Sequence, residues 1–305
     1  MSMTSERPVE HLQFTVSDGV SLAVRRYPVE RPAVVVLAMH GLQSHAGWYH
    51  WSCRFFQSNG IEVWFADRRG SGLSGGVRGH ARSSDRLVSD VRCLLQAIRG
   101  ARSGTPCVLM GVCWAAKLAV RVASVAPVEG LALLYPALRT HFDPSWRQRA
   151  LLRLSKSLGL DRRRVVSPLR TEHFTRDESA RRMIDADPLA VRSMTLAMVR
   201  ADQSLRETAA DSLATTRCPI LVVLSGRDRV ANNRLVERLI QDHVAGPVTW
   251  QTAPKADHVL EFESDRDEIF EPIVVWLRRL AAAEPSNSPS IRDTDKEVPC
   301  SVCSP

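Results

Sequence analysis

Apolar residues along this chain fall into two kinds of run. Leu12 to Val16 and Ser21 to Tyr27 alternate apolar with polar positions around Ser17-Asp18-Gly19, which predicts a β-hairpin closed by a glycine turn. Ala33 to Met39, Ile61 to Ala66, Cys107 to Val112, Val128 to Leu134 and Pro219 to Leu224 are instead nearly continuous apolar runs. Runs of that kind suit strands buried on both faces. Val248 to Thr252 reads as one more short strand. Helical segments separate them: Trp48 to Ser58, stopped by Asn59-Gly60; Ser84 to Arg99, capped by Ser83 or Ser84; Asn233 to His243; and Asp265 to Ala282. In the second, Leu87, Val88, Val91, Leu94, Leu95 and Ile98 share a face, so its role is packing. The alternation predicts an α/β fold with an eight-stranded, mostly parallel sheet.

The pattern lapses once. Residues 139–213 carry helical periods at Trp146 to Leu158 and Leu189 to Ser204, broken at Ser167-Pro168, and read as a helical cap inserted into the α/β core. The core is thus expected in two parts, 1–138 and 214–282, and the Pro- and Ser-containing residues 283–305 as a disordered tail.

Composition adds two constraints. The chain has 305 residues, 44% hydrophobic and 24% charged, with apolar runs too short to span a bilayer and no signal-peptide pattern before Gln13, so a cytoplasmic protein is expected. The net charge is +8, and most of it lies between Arg139 and Arg182, with twelve basic residues against five acidic ones. That segment lacks the interleaved aromatics of a nucleic-acid surface, so no nucleic-acid partner is expected. A solvated arginine-rich face is the plain alternative to a partner site. Seven cysteines are scattered without metal-ligand spacing, apart from Cys300-Ser301-Val302-Cys303, which has no second pair. Cys53, Cys93, Cys107 and Cys218 lie in apolar segments and read as structural thiols.

Chemistry concentrates where strands end. After Met39 comes His40-Gly41-Leu42-Gln43-Ser44-His45; after Leu224 comes Ser225-Gly226-Arg227-Asp228; one loop beyond the last strand stands His258. Between them, the strand Cys107 to Val112 turns at Gly111-Val112-Cys113-Trp114-Ala115-Ala116 into a helix of small residues, the layout of a nucleophile elbow with Cys113 on the bend. Alone, Cys113 would read as a buried thiol and Asp228 as a turn former. Together they give the chain order nucleophile, acid, histidine of an α/β-hydrolase. The glycine-rich stretch Asp67 to His80 lacks a following helix and a Gly-Lys-Ser/Thr, which excludes a phosphate loop, and neither a cofactor nor a metal is expected.

His40 to His45, Asp67 to His80 and Gly226-Arg227-Asp228-Arg229-Val230 closely resemble the monoacylglycerol-lipase-like (serine aminopeptidase-type) α/β-hydrolases over residues 10–280. The resemblance implies an α/β-hydrolase fold, a cap that forms the acyl pocket, and oxyanion-hole N–H groups from Leu42 and Trp114. The departure is the elbow. Where that family has Gly-His-Ser-Met-Gly-Gly, this chain has cysteine for serine and alanine for a glycine. Cysteine boxes of this form resemble dienelactone hydrolases and polyhydroxyalkanoate synthases.

Cysteine shifts the expected substrate. A thiolate paired with protonated His258, oriented by Asp228, exchanges one thioester for another at little cost but climbs when it attacks an oxygen ester. The expected function is an acyl thioester or ester hydrolase (thioesterase- or lipase-like) working through an acyl-cysteine. An acyltransferase or cyclase would use the same triad, and CoA phosphates or an acidic acyl carrier protein would suit the basic cap. A non-catalytic binding protein is the third reading.

Overall fold

β1 (Glu10–Thr15) and β2 (Ser21–Tyr27) pair antiparallel across a turn in which Gly19 takes a φ of 78°, a conformation that only glycine adopts freely. This computed structural model describes residues 8–282 and 301–303. The chain then alternates in the expected way. β3 (Val34–Met39) leads to α1 (His50–Ser58), β4 (Ile61–Ala66) and α2 (Ser84–Ala101), whose cap is Ser83, its hydroxyl accepting the Arg86 N–H. β5 (Cys107–Val112), α3 (Ala115–Ala123) and β6 (Gly130–Leu134) complete the first part.

The insertion that follows holds α4 (Trp146–Ser157), β7 (Arg164–Val166), α5 (Glu178–Ala186), β8 (Ser193–Thr195), α6 (Leu196–Glu207) and α7 (Ala209–Thr215). Two differences from expectation appear here. The segment is not wholly helical, because β7 and β8 form an antiparallel pair. The helix expected from Leu189 starts at Leu196, because the preceding residues run extended: Val191 N–H bonds the Gln43 carbonyl, and Thr195 caps α6 through Met198 N–H. The chain returns through β9 (Ile220–Ser225), α8 (Asn233–His243), β10 (Val248–Ala253) and α9 (Arg266–Ala282).

In the sheet the order is β10-β9-β6-β5-β3-β4-β2-β1, and the first six strands run parallel. Every residue of β3, β4, β5, β6 and β9 is buried, as two-sided burial requires. Eight strands match the pattern. A ninth, β11 (Ser301–Cys303), pairs antiparallel with β1, which corrects the expectation of a tail without structure there: an open edge offers unpaired N–H and C=O groups that recruit a strand. The rest of the tail, Cys300 included, and residues 1–7 lie outside the described residues.

Cys53, Cys107 and Cys218 are free, as expected, but Cys93 is disulfide-bonded; it occupies a half-buried position on α2, outside the helix's apolar stripe. Among the described residues no helix is long and apolar enough to cross a membrane.

Candidate active site

Parallel strands put the loops after β3, β5, β9 and β10 at one edge, and those loops carry His40, Cys113, Asp228 and His258. The elbow is built by close packing. A Cβ on Gly111 would fall 2.7 Å from Ala119 Cβ and 2.8 Å from Ala116 Cα, so β5 and α3 touch backbone to backbone there. Ala115 and Ala116 are fully buried. Gly111→Ala is accordingly expected to destabilise the fold by about 1–3 kcal/mol, read as an earlier midpoint in urea.

Cys113 takes a φ of 52° and Tyr135, at the end of β6, a φ of 37°. Among the described residues these are the non-glycine positions with positive φ, and each costs on the order of 1–2 kcal/mol. Both face one cavity. Cross-links hold them there: Cys113 N–H donates to the Leu134 carbonyl at 3.0 Å, and the Cys113 carbonyl accepts from Ala137 N–H at 3.0 Å and Ala116 N–H at 3.1 Å. Strain gathered at two neighbouring strand ends marks a functional edge.

His258 is fully buried, and its Nδ1 lies 2.7 Å from Asp228 Oδ2. The other oxygen of Asp228 accepts the Val230 and Ala231 N–H groups, each at 2.7 Å. Asp228 is therefore both a turn former and the partner of a histidine. Burial pushes the imidazole down, but the Asp228 carboxylate and then Cys113 overcome it and raise its pKa to about 10. Among the described residues no group meets full hydrogen-bond geometry with Nε2, and the neighbour that acts on the ring from the cavity is the Cys113 thiol. Tyr135 packs edge-on against the ring with centroids 5.0 Å apart, and Phe174 lies 6.1 Å away on another side.

Cys113, His258, Gly41, Leu42, Leu169 and Phe174 line a common cavity of about 10 Å³, room for about one water. A larger hollow of about 790 Å³ shares Gln43 and Leu169 with it and is bordered by Val166, Arg170 and Arg192. Gln43 Nε2 donates to the Leu169 carbonyl at 3.0 Å, so a core loop and the insertion jointly form the wall. The insertion is fastened elsewhere too. Asp187 accepts Trp48 Nε1–H at 2.6 Å and His45 Nε2–H at 2.9 Å, while Arg176 grips Asp257, the neighbour of His258.

Leu42 and Trp114 flank Cys113. Among the described residues neither backbone N–H donates a hydrogen bond, which leaves both open to a developing negative charge. The Trp114 side chain is buried, with Nε1–H donating to Asp202 on α6 at 2.7 Å, beside the Lys117–Asp202 ion pair. The glycine-rich loop folds around Asp67, whose carboxylate accepts Ala46 N–H at 2.7 Å and Leu73 N–H at 2.8 Å. A Cβ on Gly72 would collide with that carboxylate, so the glycine serves the turn.

Sequence reasoning missed three groups at this edge. Tyr135 stands at a strand end with an unremarkable Tyr-Pro sequence. Glu261, buried behind it, accepts Tyr135 O–H at 2.8 Å and Ser52 O–H at 3.2 Å, and burial pushes its carboxyl up to about 7. Arg68 lies under the His40 loop. No periodicity signals them; only the Asp67-Arg68 motif lay in a stretch already singled out.

Comparison with known proteins follows from this geometry. The family model described as serine aminopeptidase, S33, matches residues 30–265. A monoacylglycerol lipase of Mycolicibacterium smegmatis is 28% identical over 284 residues, covering 90% of this chain and 99% of that protein. Phospholipase YtpA of Bacillus subtilis is 24% identical over 254 residues, covering 80% and 95%. Among solved structures, a soluble variant of monoglyceride lipase from Saccharomyces cerevisiae, in complex with a substrate analog, superposes with a TM-score of 0.77 at 17% identity, covering 93% of this chain and 98% of that one.

Proposed function

The chain belongs to the serine aminopeptidase (S33) family of α/β-hydrolases, and on that premise we propose that it is an acyl hydrolase that works through an acyl-cysteine on Cys113. Cys113, His258 and Asp228 form its triad, Leu42 and Trp114 its oxyanion hole, and thioesters or esters are its substrates. One observation carries the reading: a histidine bonded to Asp228 through Nδ1 shares a small cavity with a cysteine on a strained elbow, and that cysteine acts on its ring.

The chemistry follows from those positions. His258 Nε2 takes the Cys113 proton, the sulfur adds to the acyl carbon, and the carbonyl electron pair moves onto oxygen between the two N–H groups. As the tetrahedral intermediate collapses, its bond to the leaving sulfur or oxygen breaks, and the imidazolium returns the proton to that atom. Acylation removes the negative sulfur that helps hold the proton on His258, so the ring is then better able to deprotonate water. Water attacks the thioester, and the free acid leaves.

Residues 139–213 act as a cap over this site. A cavity of about 10 Å³ is too small for an acyl chain, so substrate entry requires the Gln43–Leu169 wall to part towards the larger hollow. On α4 and at its C-terminal cap, Trp146, Leu151, Leu154 and Leu158 are exposed beside Arg147, Arg153 and Lys156, a surface suited to a lipid substrate or to CoA or an acyl carrier protein. Closure of the cavity also favours a second reading, acyl transfer or cyclisation, since an enclosed acyl-cysteine meets little bulk water.

A matched pair of butyryl donors, N-acetylcysteamine thioester and p-nitrophenyl ester, tests this with mass detection of products. We expect free butyrate as the main product and faster turnover of the thioester relative to each donor's uncatalysed rate. Capture of most acyl groups by added amines or alcohols would select transfer instead; no product from either donor would sink both readings.

A further inference from the structure

The Gly41–Leu42 peptide is held from behind. Arg68 Nη1–H donates to the Gly41 carbonyl at 2.8 Å, and Nη2–H donates to the Leu42 carbonyl at 2.7 Å. His40 adds a third bond. Its Nε2 accepts the Arg68 backbone N–H at 3.1 Å, which places the ring proton on Nδ1, and Nδ1–H donates to the same Gly41 carbonyl at 2.8 Å. His40 is thus neutral, its pKa held well below the usual value by burial and by the Arg68 charge.

Planarity turns this grip into aim. In a trans peptide the C=O of Gly41 and the N–H of Leu42 point in opposite directions, so fixing the carbonyl fixes the donor. The loop also abuts the nucleophile: a Cβ on Gly41 would lie 3.3 Å from Cys113 Cβ and 3.4 Å from Sγ. Two donors on one carbonyl, one of them cationic, polarise the peptide and strengthen its N–H as a donor. The same guanidinium lies over the Trp114 indole, 4.8 Å from its centroid. One side chain therefore touches both residues proposed to stabilise the oxyanion.

Packing alone does not account for an arginine here. Arg68 is 9% exposed, and its hydrogen bonds go to neutral carbonyls. Asp67 and Asp202 act on it through space, but neither is hydrogen-bonded to it. Burying a cation without a directly paired carboxylate is costly, and an apolar side chain would fill the space more cheaply. Burial pushes its pKa down to about 10, which leaves it charged at neutral pH.

We propose that Arg68 is a positioning residue of the oxyanion hole: it locks and polarises the Gly41–Leu42 peptide so that the Leu42 N–H meets the tetrahedral oxygen, and it anchors Trp114 beside it. The inference rests on the acyl-cysteine reading.

Two reactions of the same sulfur separate the possibilities. Acylation by p-nitrophenyl butyrate builds an oxyanion, whereas alkylation by iodoacetamide breaks a carbon–iodine bond and builds none. In Arg68→Met we expect acylation of Cys113 to fall roughly 10–100-fold, with kcat reduced far more than KM is raised, while alkylation falls much less. Arg68→Lys keeps the charge but not the two-carbonyl fork, so it should acylate at an intermediate rate. Acylation within twofold of wild type in both variants, or a parallel fall in alkylation, overturns the proposal. If Arg68→Met shows no cooperative melt, Arg68→Lys decides: a several-fold loss confined to acylation supports the role, and wild-type acylation refutes it. A wild-type protein that alkylates at Cys113 but never acylates would instead bring down the acyl-cysteine reading, and this proposal with it.

Discussion

Cys113→Ala is expected to abolish acyl turnover, with a loss on the order of a thousandfold or more in kcat, and to remove the acyl adduct seen by intact mass in the wild-type protein. The fold should survive. Alanine carries the same Cβ into the left-handed backbone that cysteine already tolerates at φ 52°, and the cross-strand bonds of residue 113 are made by its backbone. The thermal midpoint should therefore move by a few degrees at most, which distinguishes a lost nucleophile from a lost structure. Iodoacetamide near neutral pH gives a parallel reading. Burial pushes the Cys53 thiol well above its ordinary value and the Cys107 and Cys218 thiols up to about 12, so none of these three should compete, and peptide mapping should find that labelling at residue 113 disappears in the variant.

Cys113→Ser sharpens the same test. A serine hydroxyl at the elbow would stand where the sulfur does, with the same histidine and the same N–H groups. We expect this variant to lose most thioester turnover and keep part of the oxygen-ester rate. Full activity on oxygen esters would refute the claim that the cysteine selects thioesters, since the argument depends on sulfur-to-sulfur acyl exchange being nearly isoenergetic.

How far such a site can be read from sequence depends on which physical signal each residue leaves. Strands β3, β5, β6 and β9 were legible because two-sided burial forces a continuous apolar run, and parallel order then gathers their ends at one edge. The Asp228–His258 pair follows from that placement, although neither residue type is informative by itself. β7 and β8 left no signal: each has three residues, those of β7 exposed, and their pairing is set by the fold of the insertion. Tyr135 and Arg68 were illegible for a different reason. A positive φ, a ring packed against a histidine, and a guanidinium reaching back 26 and 27 residues to two carbonyls are tertiary facts with no local period. Glu261 belongs with them, since a glutamate near a chain turn reads as surface until Tyr135 and Ser52 are seen to enclose it.

Asp228→Asn should lower kcat by about 10³–10⁴-fold with little change in the fold, because it keeps the size of the side chain while removing the charge that sets the state of His258. Without that carboxylate, burial is opposed only by Cys113, and the imidazole's pKa should drop from about 10 towards or below its ordinary 6.5. The ring would then stay neutral, and an amide that can donate to Nδ1 would favour the tautomer with its proton on Nε2, the wrong one for accepting a proton from sulfur. Stability should report the same change. A histidine whose pKa is raised on folding contributes stability that is fully present below about pH 6.5 and is lost as pH rises through about 10. Urea melts of the wild-type protein should therefore weaken progressively across that window, while those of Asp228→Asn should be much flatter there. Equal pH slopes in the two proteins would mean that His258 does not hold its proton against Asp228. The ion-pair mechanism would then lose its footing even if Cys113 proved reactive.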